Sequence, residues 1–115
     1  MHIMRPLLHP QPDEISLQGI LYALADPERL ALFGRICRSN DIPVSCTRCA
    51  PADMPRSSLS RHMQILREAG LVASERRGSE LVNLPRTGEI EARYPGLLAP
   101  ILAAGAATSR PEHAR

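Results

Sequence analysis

Apolar residues recur along this 115-residue chain every three or four positions, which is the spacing of one face of an α-helix. The first such stripe predicts a helix over residues 15–25, and its members are Leu17, Ile20, Leu21 and Leu24. Asp26 and Pro27 follow directly, and Asp is a common N-cap residue while Pro fits the first helical turn. The pattern therefore predicts a second helix over residues 27–38.

The next amphipathic segment begins at Arg56 and is closed by Gly70, a residue type that often ends helices. One arc of this predicted helix is mainly apolar and carries Leu59, Met63, Ile65, Leu66 and Ala69, with Ser58 and His62 among them. The opposite arc is polar and carries Ser57, Ser60, Arg61, Gln64 and Glu68, with Arg56 and Arg67 on its flank. Hydroxyl, amide and guanidinium groups can hydrogen-bond the edges of bases. The polar arc therefore predicts DNA recognition, and an ordinary solvated helix face is the alternative.

Two short apolar runs follow the helix and are joined at a glycine, which predicts a β-hairpin. The first run is Leu71 and Val72, and the second is residues 81–84. Gly78 between them can adopt the positive φ that a tight turn requires. Arg76 and Arg77 lie near the tip, where a wing beside a DNA-reading helix meets phosphates. The alternative is a soluble surface turn in which these arginines are balanced by glutamates.

The remaining segments complete a fold class that is mainly α-helical with one small β-hairpin. Residues 1–12 are predicted to form a flexible N-terminal arm, residues 13–104 the folded domain, and residues 105–115 a flexible tail. Residues 44–55 are rich in proline, so we expect no more than a short helical turn there. A short helix is expected over residues 89–93, and Pro95 can open a last helix that carries Leu97, Leu98, Ile101 and Leu102.

The order of these elements is that of a winged helix-turn-helix domain: two helices, a short turn, a recognition helix, a hairpin and a final helix. The first and last helices carry more apolar surface than the single core of a small domain covers. A two-fold contact between copies would bury this surplus and place two recognition helices about one DNA turn apart. The predicted dimer interface comprises Leu17, Ile20, Leu21, Leu24, Leu97, Leu98, Ile101 and Leu102, and packing on the chain's own core is the alternative.

Composition narrows the function classes. A net charge of +2 and an estimated pI of 8.7 are compatible with DNA binding, while an aromatic content of 3% without Trp disfavours stacking on single-stranded bases. No long apolar run or signal-peptide pattern is present, so we expect a cytoplasmic protein that does not contact membranes. No nucleophile–base pair, phosphate-binding loop or carboxylate pair supports an enzyme.

The three cysteines leave the sensing chemistry open. Cys46 and Cys49 have the C-x2-C spacing of soft-metal ligands, and Cys37 could add a third thiolate. Cys37 also lies on the apolar stripe of the second helix, where a cysteine is more often a small core residue. Cys46 and Cys49 could instead form a reversible disulfide, or have no sensing role. The cofactor is therefore unknown, and a soft metal or metalloid ion held by cysteine is one candidate.

Three stretches resemble a known family: ALADPERLALFGRI, SSLSRHMQILREAGLV and ASERRGSELVNL are similar to the second helix, recognition helix and wing of ArsR-type (arsenic-repressor) transcription regulators. The resemblance covers roughly residues 17–84. It implies a homodimeric repressor that binds double-stranded operator DNA, dimerises through its first and last helices, and leaves the operator when an inducer binds. Arsenic-sensing members of that family commonly carry cysteines near the positions of Cys46 and Cys49.

The resemblance also assigns roles within the predicted DNA surface. Base reading falls on Ser57, Ser58, Ser60, Arg61 and Gln64, with Arg56 beside them, and phosphate contacts fall on Arg76 and Arg77. Two alternatives remain open beside a metal- or metalloid-released repressor. One is a redox-sensing repressor that uses Cys46 and Cys49, and the other is a winged-helix protein-interaction module that does not bind DNA.

Overall fold

The computed structural model describes Leu7 and residues 9–39 and 43–108. Within these residues, a short 3-10 helix (Pro12–Glu14) precedes six α-helices and three β-strands. In chain order these are α1 (Leu17–Leu24), α2 (Pro27–Cys37), β1 (Val44–Ser45), α3 (Cys46–Cys49), α4 (Arg56–Glu68), β2 (Val72–Arg77), β3 (Glu80–Pro85), α5 (Thr87–Arg93) and α6 (Leu98–Thr108). The fold is mainly helical with one small antiparallel sheet, which confirms the predicted class.

Side-chain caps set the start of the first two helices. Ser16 Oγ accepts a hydrogen bond of 3.0 Å from the Gly19 N–H, and Asp26 Oδ1 accepts one of 3.0 Å from the Arg29 N–H. The bond from Arg29 is the main reason why the pKa of Asp26 lies below its ordinary value of 3.8. Pro27 occupies the first turn of α2, as the sequence predicts.

The sheet has three strands in the order β1-β3-β2, so the hairpin gains a partner that the sequence analysis missed. Val44 pairs with Asn83 and Ser45 with Val82. The prediction that residues 44–55 hold only a short helical turn is correct for α3 and wrong for β1. A strand of two residues carries no alternating pattern, and its pairing with β3 comes from the tertiary fold.

The core lies where α2 and α4 meet the base of the sheet. Its fully buried side chains include Leu32, Phe33 and Ile36 of α2 and Met63 and Leu66 of α4. Because α4 is anchored through Met63 and Leu66, its opposite face is held outward.

The predicted set of dimer-interface residues must be corrected, because three of its members are buried within the chain. Ile20, Leu24 and Leu98 are buried in the chain's own core, so a partner could not contact them directly. Leu17, Leu97, Ile101 and Leu102 are half-buried, and Leu21 is 47% exposed. The last helix is covered partly by α2, which it approaches closely. A Cβ added at Gly105 would lie 2.7 Å from Leu30 Cδ2.

Described structure extends into both segments that the sequence predicts to be flexible. Within residues 1–12, His9 is hydrogen-bonded to β2 and Pro12 begins the 3-10 helix, while residues 1–6 and 8 lie outside the described residues. The final helix begins at Leu98 rather than at Pro95 and continues to Thr108, beyond the predicted boundary at residue 104. Residues 109–115 of the predicted tail lie outside the described residues.

No helix within residues 9–39 and 43–108 combines the length and apolarity needed to cross a bilayer.

Candidate nucleic-acid interface

The outward face of α4 carries the residues that the sequence assigns to base reading. Arg56, Ser57, Ser60, Arg61 and Gln64 are exposed, and Ser58 is half-buried at the edge of the core, as the helical phase predicts. We call these six residues the reading face. Gln64 Nε2 donates a hydrogen bond of 3.0 Å to Glu68 Oε2 on the exposed surface, a bond that a base edge could replace.

Gly70 explains how α4 can be followed immediately by the hairpin. Its φ is +83°, and a Cβ at this position would lie 2.5 Å from Ile15 Cγ1. A side chain here would both strain the backbone and displace a buried core residue. Glycine, which directly follows the C-cap residue Ala69, therefore lets the chain reverse into β2 at Val72, and the hairpin lies next to the reading face.

An open groove of about 390 Å³ separates α4 from the hairpin. Three guanidinium groups line it, those of Arg56 and Arg67 from α4 and that of Arg76 from β2. Ser60 and Ser79 add hydroxyl groups, and Glu80 is the one carboxylate among its lining residues. This collection of donors suits the phosphate oxygens of a nucleic-acid backbone.

The two arginines near the hairpin tip occupy different faces of β2. Val72 and Ser74 are buried, and Arg76 continues this alternation towards the groove. Arg77 belongs to the opposite face, where its Nε lies 3.4 Å from Glu75 Oε2 in an exposed ion pair. The structure therefore brings Arg76, but not Arg77, into the groove beside α4.

A buried polar chain fixes the hairpin to the rest of the sheet. Ser74 Oγ donates to Asn83 Oδ1 at 2.6 Å, and Asn83 Nδ2 donates to the Val44 carbonyl at 3.0 Å. Arg67 Nη1 donates to Ser74 Oγ at 3.5 Å and connects this chain to α4. Sequence reasoning missed the role of Asn83, whose signal was a single amide within the apolar run of residues 81–84.

A second polar network, also missed, lies behind the reading face. His62 of α4 is buried, and its Nδ1 lies 3.2 Å from Arg29 Nη1 while its Nε2 lies 3.4 Å from Glu28 Oε1. Asp26, Glu28 and His62 place one ligand atom each within 4.8 Å of one another, a spacing that could suggest a metal centre. However, a guanidinium only donates, so the bond from Arg29 leaves the proton of a neutral ring on Nε2. The ring then offers no lone pair to a metal on the carboxylate side, and we interpret the cluster as a hydrogen-bond network.

Two of the three cysteine side chains, those of Cys37 and Cys49, are described, and both are at least partly buried. Cys49 closes α3 and is buried, with 2% of its surface exposed. Burial raises the pKa of the Cys37 thiol to about 11, so this group stays protonated near neutral pH. Cys46 is the first residue of α3, and its side chain lies outside the described part of the structure.

The structure is similar to solved transcription regulators. The crystal structure of an ArsR family transcriptional regulator shares 31% sequence identity with it, at a TM-score of 0.58, over 67% of this chain and 82% of that one. An ArsR-like transcriptional regulator from Rhodococcus sp. RHA1 matches at 22% identity and a TM-score of 0.55, over 83% of this chain and 93% of that one. Neither a protein-family model nor a curated protein sequence matches the chain.

Proposed function

Because the chain belongs to the ArsR family of transcriptional regulators, we propose that it is a repressor that binds double-stranded operator DNA as a homodimer and leaves it when an inducer binds. The observation that carries this proposal is the polar reading face of α4 beside a groove lined by guanidinium groups. Such a helix can enter the major groove while the hairpin follows the backbone.

Within this proposal base contacts and phosphate contacts fall on different residues. Arg61 and Gln64 project from the middle of α4 and would contact base edges, since their side chains can form paired hydrogen bonds. The exposed Ser57 and Ser60 would let the helix approach the bases closely, with Ser58 beside them at the edge of the core. Arg56 and Arg76 face the groove and would bind phosphates, which sets affinity rather than sequence preference.

The homodimer is proposed from the surface that α1 leaves uncovered. Leu21 is 47% exposed and Tyr22 is 62% exposed on the outer side of this helix. The half-buried Leu17, Leu97, Ile101 and Leu102 extend the set of apolar residues available to a partner. A second copy that contributes the same residues in a two-fold contact would cover them and would pair two reading faces.

For the inducer, we propose a soft metal or metalloid ion such as arsenite, bound through Cys46 and Cys49. These residues begin and end α3, and their C-x2-C spacing is a familiar one for thiolate ligands of soft metals. Only residues 50–55 separate α3 from α4, so a ligand that moves α3 would also move the reading face. A disulfide between the same residues is the competing chemistry, and the two require different reagents.

The proposal is tested by selecting a binding sequence from random double-stranded DNA with the purified, reduced protein and then measuring its affinity at several salt concentrations. The logarithm of the affinity should fall linearly with the logarithm of the salt concentration, because phosphate contacts release counterions. Arg61→Ala should lose sequence preference, at roughly 1–3 kcal/mol for each lost base contact. Arg93→Ala removes the same charge from the exposed surface of α5 and serves as the matched control.

A protein that enriches no sequence, or whose binding does not depend on salt, would instead be a protein-interaction module. If Arg61→Ala and Arg93→Ala both bound the selected sequence as the parent does, the reading face would have been assigned to the wrong side of the domain.

A further inference from the structure

A buried guanidinium joins the end of α1 to the beginning of α2. Arg29 is only 6% exposed, and its Nε donates a hydrogen bond of 2.7 Å to the Ala23 carbonyl. Its Nη2 donates to the Tyr22 carbonyl at 3.4 Å. These carbonyls lie in the last turn of α1, where cations are also favoured by the helix dipole. The guanidinium is thus held at the corner between the two helices.

The third nitrogen of the same group reaches α4. Arg29 Nη1 lies 3.2 Å from Nδ1 of His62, which is 7% exposed. Because a guanidinium cannot accept hydrogen bonds, Nδ1 is the acceptor and a neutral imidazole carries its proton on Nε2. Nε2–H then donates to Glu28 Oε1 at 3.4 Å, although that carboxylate is 69% exposed and its bond is correspondingly weak.

This arrangement restricts how α4 can rotate. The three nitrogens of Arg29 have a fixed planar geometry, and two of them are already committed to α1. A rotation of α4 about its axis would move His62 Nδ1 away and leave a buried charge with an unused donor, which is costly. His62 directly follows Arg61 on α4. The side chain that would fix the rotation of the helix is therefore next in sequence to a central residue of the reading face.

We propose that Arg29 and His62 are positioning residues for DNA recognition, which hold α4 at one rotation against the corner between α1 and α2. This inference rests on the proposed DNA-binding function and adds residues that do not themselves contact DNA. Arg29 Cζ also lies 5.7 Å from the centroid of the exposed Tyr22 ring. The same guanidinium therefore connects the surface proposed for dimerisation with the reading face.

Two substitutions of His62 distinguish the loss of the Nδ1 acceptor from a loss of side-chain packing. Asn carries its amide oxygen where the ring has Nδ1, so His62→Asn keeps an acceptor for Arg29. Gln carries its amide group near the position of Nε2, so His62→Gln keeps a partner for Glu28 and removes the acceptor for Arg29. Glu28→Ala is the control for the exposed side of the network. All variants are measured below their unfolding temperatures on the DNA sequence selected by the parent and on a scrambled sequence.

His62→Asn and Glu28→Ala should keep the parent's ratio of affinities for the selected and scrambled sequences. His62→Gln should lower this ratio about tenfold or more, because the hydrogen bond lost is one to a buried charge. Equal ratios for His62→Asn and His62→Gln, whether both high or both low, would overturn the inference. A purely structural role would shift the unfolding temperatures and leave the ratio of each folded variant unchanged.

The nitrogen NMR shifts of the His62 ring test the proposed hydrogen bonds without DNA. In the folded parent near neutral pH, Nδ1 should show the shift of an unprotonated acceptor and Nε2 that of a protonated nitrogen. A proton on Nδ1 would contradict the proposed geometry. If the parent selected no DNA sequence at all, the proposed function would fail and this inference with it. Equal ratios in a parent that does select DNA would remove only the inference.

Discussion

The Nε2 atom of His9 accepts a hydrogen bond of 2.9 Å from the backbone N–H of Ser74. Ser74 lies on β2, an edge strand of the sheet. The His9 ring therefore accepts a hydrogen bond from a backbone N–H that pairing with β3 leaves unused. The Ser74 hydroxyl contacts Arg67 and Asn83. A residue from the segment predicted to be a flexible arm is therefore attached to the polar chain that connects the hairpin to α4.

The first prediction concerns the pH dependence of this attachment. Desolvation lowers the pKa of His9 below its ordinary value of 6.5, with further lowering from Arg86 and Arg67. Because the bound form disfavours the proton, the attachment contributes fully above pH 6.5 and is lost as the pH falls through the lowered pKa. We expect hydrogen exchange at the Ser74 amide to accelerate, relative to the intrinsic rate, as the pH falls from 6.5 through this lowered pKa.

His9→Ala should show fast exchange at the Ser74 amide across this whole range, while other β2 amides keep the parent's behaviour. An equally protected Ser74 amide in His9→Ala would mean that another group accepts this hydrogen bond.

The second prediction distinguishes the two arginines near the hairpin tip. Arg76 lines the groove beside α4, whereas Arg77 lies on the other face of β2 in an ion pair with Glu75. Arg76→Ala should weaken binding to all DNA sequences alike and reduce the slope of log affinity against log salt by about 1. Arg77→Ala should have the smaller effect, since its charge is already partly balanced. The reverse order would show that the backbone runs along the outer face of the hairpin.

Periodicity was sufficient to predict α1, α2 and α4, because each helix has a repeating apolar face that packs on one core. The exposed reading face followed from the same phase, with Ser58 correctly placed near the core edge. Gly70 and Gly78 were interpreted correctly because both have a positive φ, of 83° and 62°, that their positions after a helix and within a tight turn require.

The polar networks could not be predicted because they depend on contacts between distant parts of the chain. The bond between Arg29 and His62 joins residues 33 apart, and that between His9 and Ser74 joins residues 65 apart. A charged residue in an amphipathic helix gives no local sign that it will be buried. The apolar stripe of α1 likewise could not show that Ile20 and Leu24 pack internally while Leu21 remains exposed.

The third prediction tests the proposed dimer with two matched substitutions. Leu21→Glu places a charge on an exposed site and should yield folded monomers, because only a partner would bury that carboxylate. Leu98→Glu places the same charge where the side chain is 3% exposed, so it should unfold the domain. Sedimentation gives the mass and circular dichroism the helix content. A parent that sediments as a monomer at micromolar concentration, or a Leu21→Glu variant that stays dimeric, would contradict the proposed interface.

Cys37 should take no part in the response to the inducer. With a pKa of about 11, its thiol is almost entirely protonated near neutral pH and should react slowly with iodoacetamide. Cys37→Ser should therefore leave inducer response intact and act mainly on stability, since it puts a hydroxyl among partly buried apolar groups.

The double variant Cys46→Ser with Cys49→Ser should be less stable, because Cys49 is only 2% exposed, but the folded variant should bind the selected DNA with the parent's affinity and fail to release it. A ligand needs a differential affinity of only a few kcal/mol between the DNA-free and DNA-bound forms to drive release, and removal of both thiols would abolish that difference. DNA release is measured during parallel titrations of reduced protein with arsenite, zinc and peroxide. Release of the parent by peroxide alone would favour the disulfide, and its release by arsenite or zinc would favour a bound ion. If the double variant still released DNA at the parent's inducer concentration, Cys46 and Cys49 would have no part in the switch.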